Sequence, residues 1–424
     1  MRLYIDQFLT KGLQGIRTSK AAIINGILIG LIVGLLIAFY DWAITDFCTK
    51  NFKQLPTPWL GVLPLIGMLL TGIMIKVFKI KRTSMADEIV FAYHTDVNNI
   101  ETEKTVPKLF ASILTIGFGG SAGLEGASKW VGAVAGLIYQ KTINRFSVFK
   151  KIEGNLTIGM MTGASAGIAA IFKAPLSGTI MALESPYKKD LAHEPMVQSF
   201  LGAITSYAVY TSLRGSQKFF PITIAYTLRW QDILISALMG VISGLFSLYF
   251  LKIFIKVREG ISTIPLLLKY FLGGLFLSLI AYAGLFLFGH YVTLFGGNDI
   301  INNIFANQYK IRSAYLIAFL KSVATIITFA FGGIGGLFLP SATIGACLGL
   351  ICQLVFHFAT PGILPMIGIA SFIAASYNGL LFGPVLIAEI TGESSMVVLG
   401  IVASTIAYLI SNGVSNSSHQ KEHR

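Results

Sequence analysis

The stretch Gly-Gly-Ser-Ala-Gly-Leu-Glu-Gly-Ala, residues 119–127, places one acidic residue, Glu125, among glycines and other small residues. A carboxylate at membrane depth is costly, so one that is retained there indicates a function. The glycines expose backbone N–H groups, and a helix that begins just after them would add the positive end of its dipole. This stretch therefore predicts a site for an anion, or for a carboxylate that stands in for one.

The rest of the chain has the composition of a membrane protein. Of its 424 residues, 54% are hydrophobic and only 12% are charged, and the mean hydropathy is +0.73. Apolar segments of membrane-spanning length recur, whereas the short alternating pattern of a β-barrel does not. The clearest segments are residues 21–40, 60–75, 233–253, 266–287 and 396–410. We therefore predict an all-α polytopic membrane protein.

The positive net charge of +13, from 32 Lys and Arg against 19 Asp and Glu, is explained by basic cytoplasmic loops and requires no nucleic-acid partner. Basic residues cluster within residues 2–20, within residues 76–82, and in the tail at Lys421 and Arg424. The first two clusters lie on one side of the membrane if the first two spans form a hairpin. This pattern predicts a cytoplasmic N-terminus, and the expected location is a bacterial inner (plasma) membrane.

The three cysteines, Cys48, Cys347 and Cys352, have neither paired nor metal-like spacing. No disulfide framework, metal site or cofactor is therefore predicted, and packing is the expected role of these residues. Residues 1–20 are basic and amphipathic and lack a clear cleavage site, which favours an interfacial helix before an uncleaved first span.

The two halves of the chain resemble each other. Residues 123–125 (Gly-Leu-Glu) have a counterpart at 336–338 (Gly-Leu-Phe), an offset of 336 − 123 = 213, and each follows a glycine-rich run. Residues 169–178 resemble residues 374–383. For either block alone, close helix packing would be a sufficient explanation. Two blocks in the same order indicate an internal duplication, and broken helices at matching positions are typical of a transporter site near the membrane midplane.

In the register of the second block, Glu184 matches Glu389, an offset of 389 − 184 = 205. The predicted organisation comprises an N-terminal helix (1–20), a first membrane repeat (21–187), a connecting region that includes a membrane segment (188–229), a second membrane repeat (230–410) and a short cytoplasmic tail (411–424).

These motifs resemble those of the CLC family of chloride channels and chloride/proton antiporters. Residues 123–127 keep both glycines and the glutamate of the family's gating motif, and residues 336–340 keep its Gly-x-Phe-x-Pro motif intact. Residues 174–178, followed by Glu184, match its Ala-Pro-Leu-Ala-Gly helix. Its first motif is eroded at residues 83–88, where Ser84 and Glu88 remain.

The resemblance implies a fold of two inverted-topology halves with broken helices, a homodimer, and a chloride ion as the transported partner. The Ser84 hydroxyl and the N–H groups of Leu337 and Phe338 would hold an anion at the centre of the membrane. An outer site would use further backbone N–H groups, those of Leu124, Glu125, Gly126 and Leu339. When ionised, Glu125 would compete with the anion for this outer site and so act as the gate.

Three departures from the family pattern bear on mechanism. Ser185 stands where the family has its inner proton-transfer acid, and the preceding Glu184 points about 100° away on a helix. A proton path through Glu184 and Ser185 is therefore expected to be weak, which favours passive or weakly proton-coupled chloride movement. Ser417 aligns with the family's pore tyrosine, whereas Tyr408 is expected to face elsewhere. Lys173 replaces a usual asparagine.

Three alternatives stay open. A chloride/proton antiporter has the same site, and a fluoride/proton antiporter of the same family carries a methionine in its altered first motif, where this chain has Met85 beside Ser84. From another class, residues 163–167 match the Gly-x-Ser-x-Gly string of a serine hydrolase, which would make an intramembrane protease. The string lacks a strand-turn-helix context, so no enzyme activity is predicted.

Overall fold

The computed structural model describes residues 2–220, 222, 226–357, 360–411, 413–415 and 417–422, without the side chains of 2–19, 147, 149 and 151. Arg424 and positions 412, 416 and 423 of the predicted tail lie outside this description. The described chain is helical, and its first nine α-helices are α1 (Arg2–Trp42), α2 (Lys50–Phe52), α3 (Thr57–Val77), α4 (Met85–His94), α5 (Thr105–Gly117), α6 (Glu125–Arg145), α7 (Leu156–Phe172), α8 (Pro175–Glu184) and α9 (Met196–Arg214).

Eight further helices follow. They are α10 (Trp230–Gly260), α11 (Leu266–Phe288), α12 (Asn298–Phe305), α13 (Ile311–Ala330), α14 (Phe338–Val355), α15 (Ile363–Tyr377), α16 (Phe382–Thr391) and α17 (Ser395–Ser411). A π-helical segment, Ala43–Thr49, joins α1 to α2, and short 3₁₀ turns cover Val97–Asn99, Thr102–Lys104 and Ser147–Ile152. Within the described residues the only β-type pairings are two isolated bridges, so the all-α prediction is confirmed.

Six helices among the described residues are long and apolar enough to cross a membrane. They are Lys20–Phe52, Thr57–Val77, Trp230–Gly260, Leu266–Phe288, Ile311–Ala330 and Phe338–Val355. Four of the five predicted apolar segments lie in these helices, and the fifth, 396–410, lies in the 17-residue apolar helix α17. The α1 helix extends without a break across the predicted boundary at residue 20.

The helices pack in two matching sets. The α6–α7 pair corresponds to α14–α15, α1–α9 to α10–α17, and α3–α5 to α11–α13. Between the sets, α3 packs on α11 and α8 packs on α16, each helix against its own counterpart. Contacts between equivalent elements are what a pseudo-twofold axis produces. The fold therefore contains two matching halves, as the sequence repeats predict, but α9, which the predicted boundaries place in the connecting region, packs with the first half.

Equivalent residues end α7 and α15. Lys173 follows α7 with φ 53°, and Asn378 follows α15 with φ 54°, both in the left-handed conformation. Asparagine adopts this conformation readily, whereas lysine does so at some cost. The Lys173 ammonium donates a 2.9 Å hydrogen bond to the Gln217 carbonyl and lies 5.9 Å from the centre of the Tyr210 ring. This lysine therefore stabilises the position of the segment that follows α9.

Glycines bring paired helices into backbone contact in both halves. A Cβ atom on Gly163 of α7 would overlap the Gly132 carbonyl of α6, and one on Gly368 of α15 would overlap the Gly345 carbonyl of α14. Ser165, which lies between Gly163 and Gly167 in the sequence, is fully buried. The two glycines of this string thus pack against α6, and the protease alternative has no accessible nucleophile there.

Adding one methyl group should therefore have a large effect at one helical glycine and almost none at another. Gly163→Ala forces α6 and α7 apart and should destabilise the protein by about 1–3 kcal/mol. Gly260→Ala is the matched control, because a Cβ there meets no atom within 4 Å, and its effect should stay within about 0.5 kcal/mol. The measurement is the thermal midpoint of detergent-purified protein; equal midpoints for the two variants would contradict the packing described here.

Candidate functional site

The two glycine-rich runs meet as an antiparallel pair. The Gly123 N–H donates to the Gly336 carbonyl and the Gly336 N–H donates to the Gly123 carbonyl, each at 2.8 Å. Two residues after each glycine a helix begins: α6 at Glu125 and α14 at Phe338. This pair of hydrogen bonds therefore fixes two helix N-termini beside each other in the interior of the protein.

Glu125 uses this arrangement. Its side chain is only 3% exposed, and its Oε1 atom accepts a 2.6 Å hydrogen bond from the Phe338 N–H at the start of α14. The N–H groups of Glu125 itself and of Leu339 also face the carboxylate. Unpaired N–H groups and the helix dipole stabilise a negative group at this place. The first residue of α6, in one half, thus occupies the start of α14 in the other half.

The glycines of the pair are required by the carboxylate. A Cβ atom on Gly123 would overlap Oε2 of Glu125, and one on Gly336 would overlap Oε1. Neither glycine has a positive φ, so the requirement is space and not backbone conformation. Only glycine at both positions lets the Glu125 side chain lie across the pair.

Glu125 lies between two cavities. The Ser84 cavity is lined by Ser84, Glu125, Gly126, Glu184 and Leu337 among others. The Lys53 cavity, on the opposite side, is lined by Lys53, Gly123, Leu124, Asp299 and Leu339 among others. The paired loops that carry Glu125 are therefore the partition between two spaces that enter the protein.

The predicted anion ligands divide between these spaces. Ser84, at the N-cap of α4, is exposed and makes no side-chain capping bond, so its hydroxyl is available in the Ser84 cavity. Gly126 and Leu337 line the same cavity, whereas the N–H of the fully buried Phe338 is taken by Glu125. Leu124 and Leu339 line the Lys53 cavity. Their roles as anion ligands stay predictions.

Two neighbours of these residues have a packing or pairing role. Met85, the residue on which the fluoride alternative depends, is 1% exposed and packs in the core. Glu88, the retained acid of the first motif, is also buried; it pairs with Lys108 at 2.5 Å and accepts a 3.2 Å hydrogen bond from Trp130. Ser84, by contrast, faces the cavity with a hydroxyl that makes no capping bond.

Glu184 and Glu389 each cap the start of a helix in the other repeat. The Glu184 oxygens accept from the N–H groups of Leu381 (2.7 Å) and Phe382 (3.0 Å) at the start of α16. The Glu389 oxygens accept from the N–H groups of Leu176 (3.0 Å) and Ser177 (2.8 Å) at the start of α8. The sequence register that matched the two glutamates therefore corresponds to reciprocal helix capping.

The two residues of the predicted proton path both have structural partners. Besides capping α16, Glu184 lines the Ser84 cavity, as does Ser185. The Ser185 hydroxyl donates to the Ala182 carbonyl within its own helix turn, at 2.7 Å. In this state neither side chain donates or accepts a bond that leads toward Glu125.

The C-terminal segment covers part of the Ser84 cavity. Asp87 accepts hydrogen bonds from the hydroxyls of Ser417 (2.5 Å) and Ser418 (2.8 Å), and His419 Nδ1 lies 2.8 Å from it. Ser417 and Gln420 both line the cavity. Ser417 therefore lies at the cavity, as its alignment with a pore residue predicts.

Tyr408 does not reach this cavity. Its hydroxyl donates to the Lys188 carbonyl at 2.6 Å, which agrees with the prediction that it faces elsewhere.

Sequence reasoning missed Lys129. This residue follows Glu125 by four positions in α6, is 3% exposed and lines the Ser84 cavity. The signal was available, because residues four apart share a helix face, but a basic residue in an apolar chain is more often read as a surface anchor. Asp87 was passed over in the same way, since nothing local indicates that residues 417–419 reach it.

Comparison with known proteins identifies a family, a relative and two solved structures. The model of a family described as voltage gated chloride channel matches residues 66–412. The voltage-gated ClC-type chloride channel ClcB of Escherichia coli is 23% identical, with 94% of this chain and 98% of ClcB covered.

Two solved structures share the fold. A slow cyanobacterial Cl⁻/H⁺ antiporter gives a TM-score of 0.80 at 20% identity and covers 92% of this chain and 94% of its own. A CLC-type fluoride/proton antiporter gives 0.81 at 21%, with 95% and 98% covered.

The reciprocal caps predict that truncation of either glutamate destabilises the protein, and more strongly at the buried Glu184 than at the half-buried Glu389. Glu389→Ala leaves the N–H groups of Leu176 and Ser177 without an acceptor, and Glu184→Ala does the same at Leu381 and Phe382. Each change should lower the free energy of unfolding by about 1–3 kcal/mol, and the Gln variants should lose less because an acceptor oxygen remains. Thermal midpoints of the four purified variants provide the measurement; an unchanged midpoint for either Ala variant would exclude capping there.

Proposed function

Because the chain belongs to the voltage-gated chloride channel family, we propose that it carries chloride across the membrane through a pore that Glu125 gates. The observation that supports this most directly is the Glu125 carboxylate on the Phe338 N–H, at 2.6 Å, in the partition between the Ser84 cavity and the Lys53 cavity. A negative group at this place closes the route, and its removal leaves an anion site.

A carboxylate and a chloride ion compete for the same groups here. Both are stabilised by unpaired N–H groups and the partial positive charge of a helix start. Such partial charges replace the hydration of an anion without holding it as firmly as a fixed charge, which is what conduction requires. When Glu125 is protonated or displaced, the Phe338 N–H becomes available to an anion. In this proposal the pore opens when the Glu125 carboxylate leaves the Phe338 N–H and an anion binds there instead.

The Ser84 cavity faces the cytoplasm in this proposal. The basic cluster of residues 76–82 directly precedes Thr83 and Ser84, and Arg258 and Lys269 also line this cavity. Cytoplasmic segments of membrane proteins carry such an excess of Lys and Arg. The proposal includes a location in a bacterial inner membrane and assembly as a homodimer, both on the family resemblance.

Weak proton coupling follows from the groups next to the cavity. Ser185 cannot exchange a proton as a carboxylate does, and Glu184 uses both oxygens to cap α16. We therefore favour passive or weakly coupled chloride movement. The alternative, an antiporter that exchanges protons for chloride or fluoride, is favoured by the two solved structures that share the fold, since both are described as proton antiporters.

Removal of the gate should make chloride movement independent of pH. In the wild type, flux should rise as the pH falls, because protonation releases Glu125 from the Phe338 N–H. Glu125→Ala leaves the helix start permanently free, so its flux should be constant with pH, and chloride should bind about tenfold more tightly, the factor that 1.4 kcal/mol represents. Chloride efflux from vesicles and calorimetric titration with chloride measure the two effects.

Glu389→Gln provides the control, because the Glu389 carboxylate also accepts hydrogen bonds at a helix start, that of α8, but lines neither cavity. This variant should keep the pH dependence of the wild type. A Glu125→Ala protein whose flux still rises as the pH falls would exclude Glu125 as the gate.

A chloride gradient across vesicles that contain the purified protein should drive little proton movement, because the inner proton acceptor is absent at Ser185. A pH-sensitive dye inside the vesicles measures the movement, and vesicles without protein give the background. A fixed, stoichiometric proton counterflow would overturn weak coupling. With fluoride in place of chloride, a strongly larger flux would identify the fluoride alternative.

A further inference from the structure

An ion pair joins the two halves of the chain at the Lys53 cavity. The Lys53 ammonium, just after α2 in the first half, donates to Asp299 Oδ2 at 2.5 Å, in the first turn of α12 in the second half. Both residues line the cavity, and their side chains are 42% and 72% exposed. The same cavity is also lined by the buried residues Gly123 and Leu339 of the partition. The pair therefore lies at the mouth of the cavity, at the end that faces water.

The wall of the cavity on the side of the second half is held by hydrogen bonds to its backbone. Lys321 of α13 is fully buried and donates to the carbonyl oxygens of Thr293 (3.1 Å) and Phe295 (2.5 Å). The Phe295 N–H donates to the Gly119 carbonyl at 3.2 Å, in the glycine-rich run of the first half. Buried donors and acceptors that lose their partners are costly. The wall is therefore fixed at this segment.

The first half contributes residues 53–58 to the mouth, and hydrogen bonds hold one end of this segment. The Tyr291 hydroxyl donates to the Thr57 carbonyl at 2.6 Å, and the Tyr282 hydroxyl donates to the Pro58 carbonyl at 2.5 Å. Both tyrosines belong to the second half. At this end the two halves are thus joined through the backbone, whereas at Lys53 they are joined through two charged side chains.

The ion pair is the contact at this mouth that separates most readily. Loss of the tyrosine contacts requires the backbone at residues 57–58 to move, whereas the pair separates by rotation of exposed side chains, which is fast. An exposed Lys–Asp pair adds little stability, because both groups are well hydrated when they are apart, and salt screens their attraction. The Phe295 ring, whose centre lies 5.7 Å from the Lys53 ammonium, adds only a weak exposed cation–π contact.

Separation of the pair changes both the space and the charge at the mouth. Asp299 keeps a favourable position without Lys53, because the first turn of a helix stabilises an acidic side chain. Lys53 is then left with an uncompensated positive charge beside the opening. A positive charge at a cleft with low-dielectric walls raises the local concentration of anions. The separated state is therefore wider and attracts the ion, whereas the paired state is narrower and locally neutral.

We propose that the Lys53–Asp299 pair is a latch that closes the outer mouth of the Lys53 cavity, and that anions enter this cavity when the two side chains separate. The inference rests on the proposed function, since it takes the Lys53 cavity as the entry from outside. Glu125 lies at the inner end of the same cavity, so the route has a second barrier that acts at a distance from the gate.

Chemical labelling measures the latch without transport. Leu294→Cys places a thiol in the buried wall of the cavity, and an uncharged, hydrophilic thiol reagent reaches it through the mouth. Added Asp299→Asn should raise the labelling rate about two- to fivefold, the factor by which an exposed ion pair shifts an equilibrium. A high concentration of an impermeant salt should raise the rate in the Leu294→Cys protein by screening the pair. The salt should have no such effect once Asp299→Asn is present.

The protein without an introduced cysteine gives the labelling background, because Cys48, Cys347 and Cys352 are buried. If Leu294→Cys does not yield folded protein, Leu60→Cys, at another position of the cavity lining, replaces it in the same measurements.

Three further variants separate the latch from the charge of Lys53. Lys53→Met should raise the labelling rate as Asp299→Asn does, but chloride flux should rise only in Asp299→Asn, where a cation remains to attract the ion. Exchange of the charges, Lys53→Glu with Asp299→Lys, restores a pair and should return labelling to the rate of the parent protein. Glu422→Gln breaks an exposed pair with Lys189 (3.6 Å) that lines neither cavity, and should change neither measurement.

Equal labelling rates with and without Asp299→Asn would overturn the latch. A charge-exchanged protein that is labelled as fast as the single variants would also overturn it, because the pair would then have no effect on access. Absence of chloride flux in the wild type, together with labelling that depends on the pair, would overturn the transport proposal and leave the latch.

Discussion

The structure depends on one pair of hydrogen bonds, between Gly123 and Gly336, that joins the two repeats at their helix starts. A helix N-terminus inside a protein leaves N–H groups unpaired, and this is costly unless a negative group is supplied. Here two such ends lie beside each other, and the acid that satisfies one of them, Glu125, is the first residue of the other. The partial positive charges of two helix starts are therefore concentrated at this place in the protein. Glycine at both bridge positions is the steric condition for this arrangement, because a side chain at either would occupy the space of the carboxylate.

The same solution recurs at a second place, with a different outcome. At the contact of α8 and α16, each repeat supplies one glutamate to the helix start of the other, so Glu184 and Glu389 satisfy each other's repeat completely. At the Gly123–Gly336 contact only one of the two equivalent positions is acidic, because Phe338 takes the place of a second glutamate. Two equivalent glutamates, Glu184 and Glu389, satisfy both helix starts of their contact. One glutamate, Glu125, facing two helix starts leaves some of their N–H groups without an acceptor. In the proposed function, the difference between a structural contact and a gate is thus one side chain.

The sequence alone was sufficient for the parts of this fold that depend on local composition and repetition. The lengths of the apolar segments predicted the membrane-spanning helices. The repeated glycine-rich blocks predicted the two halves and the position of Glu125 between them. The sequence was insufficient to predict the role of a charged residue when that role depends on a partner from another part of the chain. Glu88 and Lys129 are both buried charged residues near the motifs that resemble those of the family, yet Glu88 pairs with Lys108, 20 residues away, whereas Lys129 lines the Ser84 cavity. Glu184 could be matched to Glu389 by register, but its capping role requires the two repeats to be placed against each other.

The hydrogen bonds of Asp87 have a consequence for the order in which the protein is made. Asp87 and Ser417 are 330 residues apart in the chain, so during synthesis Asp87 enters the membrane long before its partners leave the ribosome. Throughout the insertion of the second repeat, the wall of the Ser84 cavity near α4 lacks its final segment, and an acidic group there is open to water. Completion of this cavity is therefore a late event of biogenesis, after both repeats have been inserted and have met at their glycines.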